Sequence, residues 1–342
     1  MTEDATQRRG KPTINDVASA AGVSVTTVSD ALNGKGRVDP ATRMRVEEVV
    51  RRLGYQANRH ARGLRSGRSG ALGLLLPVGA DARSDEALSL DVYMRLSSAA
   101  AATTFAHQQA LMLLPPSITL SGLRGFALDG GIITDPSEGD RRTTLFERLG
   151  LPVVTIERDL GRPDDPHYVA SNTEANTEQM LSHLADRGAE RIALLAPRAD
   201  WAWAAETLRA YEAWMSRHGR PSIVVPVGMT RGEENSFVAV SRLLSRRRSP
   251  DAIFVVAARF IRGTLRAAHA AGRTIPGDLL LAAGVDSVPA REGEPPITAL
   301  DLHPELQAEA AVEMLLARVA GEPDHGPRHI DATLQIRAST TP

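Results

Sequence analysis

The sequence predicts an all-α head carrying a helix-turn-helix, followed by a two-lobed α/β core built on parallel sheets. Three observations predict it. Residues 13–57 place apolar side chains at spacings of three and four around a glycine, the period of short packed helices. From Gly70 onward, short apolar runs alternate with helical stretches of about 10–15 residues, the pattern of strand–helix–strand units. Charge divides at the same place. Residues 1–68 carry 13 Lys+Arg against 7 Asp+Glu, a net of +6, whereas the remainder carries 27 against 34, a net of −7. A basic head on an acidic body suits a nucleic-acid contact confined to one end, although clustered solvated arginines would give the same count.

A chain of 342 residues can hold two or three domains, and 42% hydrophobic with 24% charged residues is ordinary for a globular protein. No apolar run is long enough to span a bilayer, and the polar N-terminus lacks a secretory signal, so a cytoplasmic protein without membrane contact is expected. Cysteine is absent, which excludes disulfides, Cys-ligated zinc and thiol catalysis.

Taken in order, residues 1–12 read as a disordered polar tail. Thr13 is a helix N-cap with Asp16 three residues on, and Ile14, Val17, Ala18 and Ala21 form one apolar face. Gly22 supplies the left-handed turn. Ser24 caps a second helix that buries Val28, Ala31 and Leu32, and the small Ala18 lets the two helices cross closely. Asp39-Pro40 opens a third helix with proline at its first position; Val46, Val49, Val50 and Leu53 face inward, and Gly54 ends it. The small residue, glycine, serine cap and β-branched plug at these spacings are far more specific together than singly, and they define the helix-turn-helix at 13–57. Residues 58–69 are basic and lack an apolar face, so they read either as a plain linker or as a segment that folds against DNA.

The core is expected to contain strands at 71–77, 110–114, 130–134, 152–157, 191–196, 222–227, 252–258 and 279–286. Helices are expected at about 91–108, 173–187, 203–218, 233–246 and 260–271. Two such sheets in about 270 residues suggest paired lobes with a ligand cleft at the strand carboxyl ends. Catalytic signatures are missing: no phosphate loop, dinucleotide fingerprint, HExxH or GxSxG occurs, and the nine histidines have no metal-ligand spacing. Neither an enzyme nor a cofactor or metal site is expected.

TINDVASAAGVSVTTVSDALNG, followed by RVDPATRMRVEEVVRRLGYQANRHARGL, strongly resembles the headpiece of the LacI/GalR family of bacterial transcription regulators. LPVVTIERD, HLADRGAERIALLA, PDAIFVVAARFIRGTLRAAHAAGRTIPGDLLLAAGVDS and LQIRAST extend the resemblance across the body, whose family counterpart is similar to periplasmic sugar-binding proteins. The resemblance implies a hinge helix within 58–69 and an effector-binding and dimerisation core at 70–342. Its N-lobe would comprise about 70–170 and 300–324, and its C-lobe about 171–299 and 325–342.

By the same resemblance, Val25 and Thr26 read base edges in the major groove, Val25 against a thymine methyl. Ser24, Thr27, Ser29 and Asn33 set register on the backbone, Arg37 approaches phosphate, and Asn58, Arg59, Arg62, Arg65 and Leu64 serve the hinge, with Leu64 as a minor-groove wedge. Asp30 departs from the family's usual basic residue. A carboxylate can accept from cytosine but is repelled by phosphate.

Tyr93, Arg158, Trp201, Trp203, Thr207 and Asp286 fall at family effector positions. Thr207 replaces an arginine, Ala258 an aspartate and Leu302 a glutamine. The ligand implied is a sugar or a less polar metabolite, or none; the tryptophans would stack on it or pack a lobe interface. The expected protein is a homodimeric repressor on a pseudo-palindromic operator of double-stranded DNA, with a small-molecule effector. The alternatives are an effector-independent or partner-controlled regulator, or an activator. No leucine heptad follows the last strand, so a dimer is expected in place of a tetramer.

Overall fold

Helices α1 (Ile14–Ala21), α2 (Val25–Asn33) and α3 (Pro40–Leu53) build the head. The computed structural model describes residues 12–33, 38–55, 68–77, 91–197, 200–323 and 326–341. It divides into two units, Met1–Gly70 and Ala71–Pro342. In the head, Thr13 and Asp16 cap each other reciprocally: the Asp16 carboxylate accepts from the Thr13 N–H at 2.7 Å, and the Asp16 N–H donates to the Thr13 hydroxyl at 3.4 Å. Gly22 turns at φ 65°, which lets the Val23 N–H close on the Ala18 carbonyl at 3.1 Å. Ser24 accepts from the Thr27 N–H at 3.0 Å and Asp39 from the Thr42 N–H at 3.1 Å, so each later helix is also capped. Val17, Ala18, Ala21, Val28, Ala31, Val46 and Val49 meet in one core with Ile14, Val50 and Leu53 at its margin. The expected inward faces are therefore the observed ones.

The second unit holds two six-stranded sheets. The first contains β1 (Ala71–Leu75), β2 (Ala110–Leu114), β3 (Gly130–Thr134), β4 (Val153–Ile156), β5 (Tyr168–Ser171) and β11 (Arg328–Ile330) in the order β11-β5-β4-β3-β1-β2, all parallel. The second contains β6 (Ile192–Ala196), β7 (Ile223–Pro226), β8 (Ala252–Val255), β9 (Leu280–Ala283), β10 (Thr298–Asp301) and β12 (Thr333–Gln335) in the order β12-β10-β9-β8-β6-β7. It is parallel except where β12 runs against β10. Pro226 is tolerated because β7 is an edge strand.

Helices cover both faces of each sheet, so successive strand residues go to different cores. In β8, Ile253 and Val255 join one buried cluster while Ala252 and Phe254 join the other. Helices α4 (Asp91–Ala106) and α12 (Pro304–Ala320) pack the first lobe, and α7 (Thr173–Asp186) and α8 (Ala202–Arg217) pack the second. In the second lobe, α9 (Gly232–Leu244) crosses α10 (Ile261–Ala270) very closely; a Cβ on Gly263 would lie 2.1 Å from the Glu233 carbonyl oxygen.

The expected core elements are present with shifted ends. The apolar run at 252–258 stays strand only to Val255, and the stretch expected as helix from 260 begins as a 3-10 turn at Ala258–Phe260. The 17-residue α12, the short helices α5 (Leu120–Arg124), α6 (Arg141–Glu147) and α11 (Val288–Arg291), and strands β5, β10 and β11 were not expected as elements; all but α12 span too few residues to establish a period. Two lobe boundaries also move. Strand β10 reaches Asp301 in the second sheet, and β11 still pairs with β5 in the first, so the last crossing between lobes follows Ile330 and not residue 325. The final stretch LQIRAST is strand only through Gln335. It then turns so that Ser339 donates to the Leu281 carbonyl at 2.5 Å, while the Thr340 and Thr298 hydroxyls lie 2.6 Å apart.

Gly263→Ala forces α9 from α10 against backbone atoms that cannot rotate away. It should destabilise the core by about 1–3 kcal/mol, read as a lower urea midpoint with an unchanged slope.

Candidate effector cavity and nucleic-acid interface

The carboxyl ends of the strands in the two sheets converge on a cavity of about 160 Å³ in the second unit. Thr134 and Asp135 follow from β3, Ile156 and Glu157 from β4, Ser171 from β5, Val256 and Ala258 from β8, Gly284 and Val285 from β9, and Leu302 from β10. Parallel sheets put these ends side by side, which is why one cleft gathers residues distant in sequence. Tyr93, Trp203, Met229, Phe254 and Leu300 add mostly apolar wall.

The polar floor is held from behind. Arg142, 7% exposed, donates to Asp140 at 2.8 Å, to the Thr134 carbonyl at 3.0 Å and to the Asp135 carbonyl at 3.3 Å. Asp135 and Glu157 both have left-handed backbones, φ 42° and 72°, an unusual conformation for a carboxylate residue that clusters at functional sites. The Tyr93 hydroxyl donates to Asp135 at 2.5 Å. Burial pushes the Asp135 carboxyl up, against the Tyr93 bond and the Arg142 charge, and burial with the neighbouring Asp135 charge pushes Tyr93 well up.

Glu157 is 6% exposed. One oxygen accepts from the Ser171 N–H at 3.1 Å, and the other has no hydrogen-bond partner. Burial first, then the Asp135 charge, pushes its carboxyl up to about 8. At the hinge between lobes, Gln307 donates to the Ser171 hydroxyl at 3.1 Å and to the Leu302 carbonyl at 2.8 Å.

Three of the expected effector residues, Tyr93, Trp203 and Thr207, line the cavity, and so do the apolar replacements Ala258 and Leu302. The other three do not, each for an electrostatic or packing reason. Arg158 is held by Glu206 of α8, across the cleft, through its Nε at 3.0 Å and a second, shorter bond. Asp286 neutralises Arg337 at 2.9 Å and Arg291 at 3.6 Å. Trp201 stacks on Trp203, centroids 5.8 Å apart and planes 13° off parallel, and bridges to Ser137 of the other lobe. The two tryptophans thus divide the roles foreseen for them: one faces the cavity and one joins the lobes. A further tie, Arg291 to Asp91 at 2.7 Å, also spans the lobes.

Sequence reasoning missed Asp135, Glu157, Asn176, Arg259 and Gln307. For the first two a signal existed: each directly follows a buried strand, GGIIT and VVTI, where α/β clefts are built. Among the described residues no cluster of three or more His, Asp or Glu could hold a metal ion, and no helix is long and apolar enough to cross a membrane.

In the head, Val28 and Ala31 point into the core, so the helical period turns Thr26, Ser29 and Asp30 away from it. Val25 is 37% exposed and Thr26 is exposed. Ser24 and Thr27 are joined through their hydroxyls at 2.9 Å as part of the cap. Asn33 ends α2. Arg37, Asn58, Arg59, Arg62, Leu64 and Arg65 lie outside the described residues.

Glu157 has a pH signature. The unfolded chain releases this proton as pH passes its ordinary value of 4.5, whereas the folded core keeps it to about 8. Its contribution to stability is therefore complete below 4.5 and lost as pH rises to about 8. Relative to Glu157→Gln, the native protein should lose on the order of a few kcal/mol across that window. Urea midpoints of both proteins at several pH values measure this; a constant difference would mean the carboxyl is not held neutral.

A family model for bacterial regulatory proteins of the lacI family matches residues 13–58, and one for a periplasmic binding protein-like domain matches residues 181–340. The chain is 31% identical over 358 aligned positions to the HTH-type transcriptional regulator PtxS of Pseudomonas putida, covering 100% of each protein. The lac repressor dimer bound to operator and the anti-inducer ONPF superposes with a TM-score of 0.76 at 21% identity, covering 97% of this chain and 99% of that one. The complex of the transcriptional regulator CelR with cellobiose superposes with a TM-score of 0.71 at 24% identity, covering 96% and 99%. With head and core both matched and likeness to PtxS over its whole length, the chain belongs to the lacI family of bacterial regulatory proteins: it is a DNA-binding transcriptional regulator, not an enzyme.

Proposed function

We propose that this regulator is a cytoplasmic homodimeric repressor of a pseudo-palindromic operator, and that a small molecule in the core cavity sets its operator affinity. The observation that carries the reading is the cavity itself. It is lined by strand ends of both lobes, and the lobes are tied across it by Arg158–Glu206 and Arg291–Asp91. A ligand touching both walls must favour one lobe arrangement over another, and only that difference in affinity can shift an equilibrium. The polar atoms left without partners, Glu157 Oε2 and Asn176 Nδ2, favour a ligand-responsive regulator over an effector-independent one. The operator-bound lac repressor dimer and the cellobiose-bound CelR support the same assignment by analogy of fold.

On DNA, the exposed Val25 and Thr26 at the start of α2 read base edges, Val25 against a thymine methyl. Ser24 and Thr27, already engaged in the helix cap, and Ser29 lie nearer the role of fixing register. Asp30 shares the outward face with Thr26, so it discourages phosphate approach there and accepts from cytosine where one is offered.

Selection of bound sequences from a random pool should return a two-fold symmetric site; recovery of no common sequence would overturn the DNA-reading assignment. Val25→Ala should relax preference at one base pair of each half-site by about 1–3 kcal/mol while other positions hold. Affinity should also fall steeply with salt, because arginines dominate the head's charge. Binding that is indifferent to both the substitution and salt would contradict this interface.

A further inference from the structure

The cavity has a polarity of its own. Among the described lining residues, its floor carries two carboxyls, Asp135 and Glu157, and its wall carries one guanidinium, Arg259, which donates to the Met229 carbonyl at 3.1 Å. The other arginines close to these carboxyls are already engaged: Arg142 with Asp140 and Arg158 with Glu206. With both carboxyls ionised, the described lining residues would hold one uncompensated negative charge among Tyr93, Trp203, Met229, Phe254, Val256 and Leu302. An isolated charge in such surroundings is strongly disfavoured, so a proton or a bound cation must offset it. Hydrogen bonding points the same way. Glu157, 6% exposed, keeps one oxygen unpartnered, which calls for a donor once the carboxyl is ionised. Asn176, also 6% exposed, keeps its amide nitrogen unpartnered, which calls for an acceptor. Both line the same cavity, alongside Trp203.

We propose that the ligand of this cavity is a small hydroxylated amine of the amino-sugar kind, whose cationic nitrogen offsets the one negative charge that Arg259 leaves uncompensated on Asp135 and Glu157 and whose hydroxyls serve Asn176. The assignment rests on the effector reading above and names the chemical class of that ligand. It distinguishes the site from one for neutral sugars, which would leave Glu157 protonated. A cation instead displaces that proton, so binding is coupled to proton release. Tyr93 donates to Asp135 throughout, and the charges of Glu206 and Arg158 act on Glu157 in opposite senses.

The test is calorimetric titration of the full-length chain with D-glucosamine and D-galactosamine, and with D-glucose and D-galactose as neutral counterparts. Titrations at about pH 6.5, in two buffers of different ionisation enthalpy, count the protons. The amines should bind at least about tenfold more tightly than the neutral sugars and release close to one proton per ligand. Glu157→Gln, which keeps the shape but cannot ionise, should abolish both the preference and the proton release. The wild-type proton count stands even if that variant folds poorly. Neutral sugars binding as tightly as the amines, or amines binding without proton release, would overturn the proposal and leave a small-molecule effector in place. No amine binding by protein that still binds its operator would overturn it too. Ligand that binds with the expected proton release but leaves operator affinity unchanged would instead refute the effector reading.

Discussion

Two carboxyls in one largely apolar cleft impose the constraint to which the rest of the core answers. Asp135 and Glu157 leave adjacent strands of the first sheet, β3 and β4, on left-handed backbones, and both line the cavity. A charge there has little water to stabilise it, so each neighbouring polar group is placed with respect to that cost. Arg142 reaches from α6 to hold the Thr134 and Asp135 carbonyls, spending its own charge on Asp140. Tyr93 comes from α4 to donate to Asp135. Ser171, at the end of β5, donates its N–H to Glu157 and offers its hydroxyl to Gln307, so the same residue supports the cavity floor and the hinge.

That arrangement explains why the cavity differs from the one implied by family resemblance. Arg158 and Asp286 carry the charges expected to meet a ligand, but the folded core uses both for internal pairing: Arg158 for Glu206 across the lobes, Asp286 for Arg337 and Arg291. Ala258 and Leu302 stand on the wall where hydrogen-bonding residues would be expected, and they make it more apolar. Among the described lining residues, the buried side-chain atoms left without a hydrogen-bond partner are on Glu157 and Asn176. The lobe ties and the cavity also share an element. Helix α8 carries Glu206, which pairs across the cleft, and Trp203 and Thr207, which face into it. A ligand pressing on Trp203 therefore acts on the helix that holds one of the ties.

The described helices of the head were legible in their sequence. Thr13, Gly22, Ser24, Asp39 and Gly54 act through short-range bonds that depend on residues at most four positions away, and each took its expected place. The inward faces followed from period alone, and the outward positions of Thr26 and Asp30 are what those faces leave over. In the core, long buried strands such as ALGLL and IALLA were equally plain. The short elements were not: β5, β10 and β11 are three or four residues each and become strands through their neighbours. The lobe crossing after Ile330 was hidden for the same reason, since β11 declares its sheet only by pairing with β5.

By itself, then, the sequence determined the capped helices of the head and the parallel α/β character of the core, because these rest on local bonding and residue period, while its motifs pointed to the class of protein through their resemblance to a known family. Tertiary structure decided which charges were free to meet a ligand. Arg158 and Glu206 lie 48 positions apart and Asp286 and Arg337 lie 51 apart, and only the folded chain brings them together. Whether a charge faces a cavity or a counter-charge depends on neighbours at that distance, and neither period nor spacing reports them.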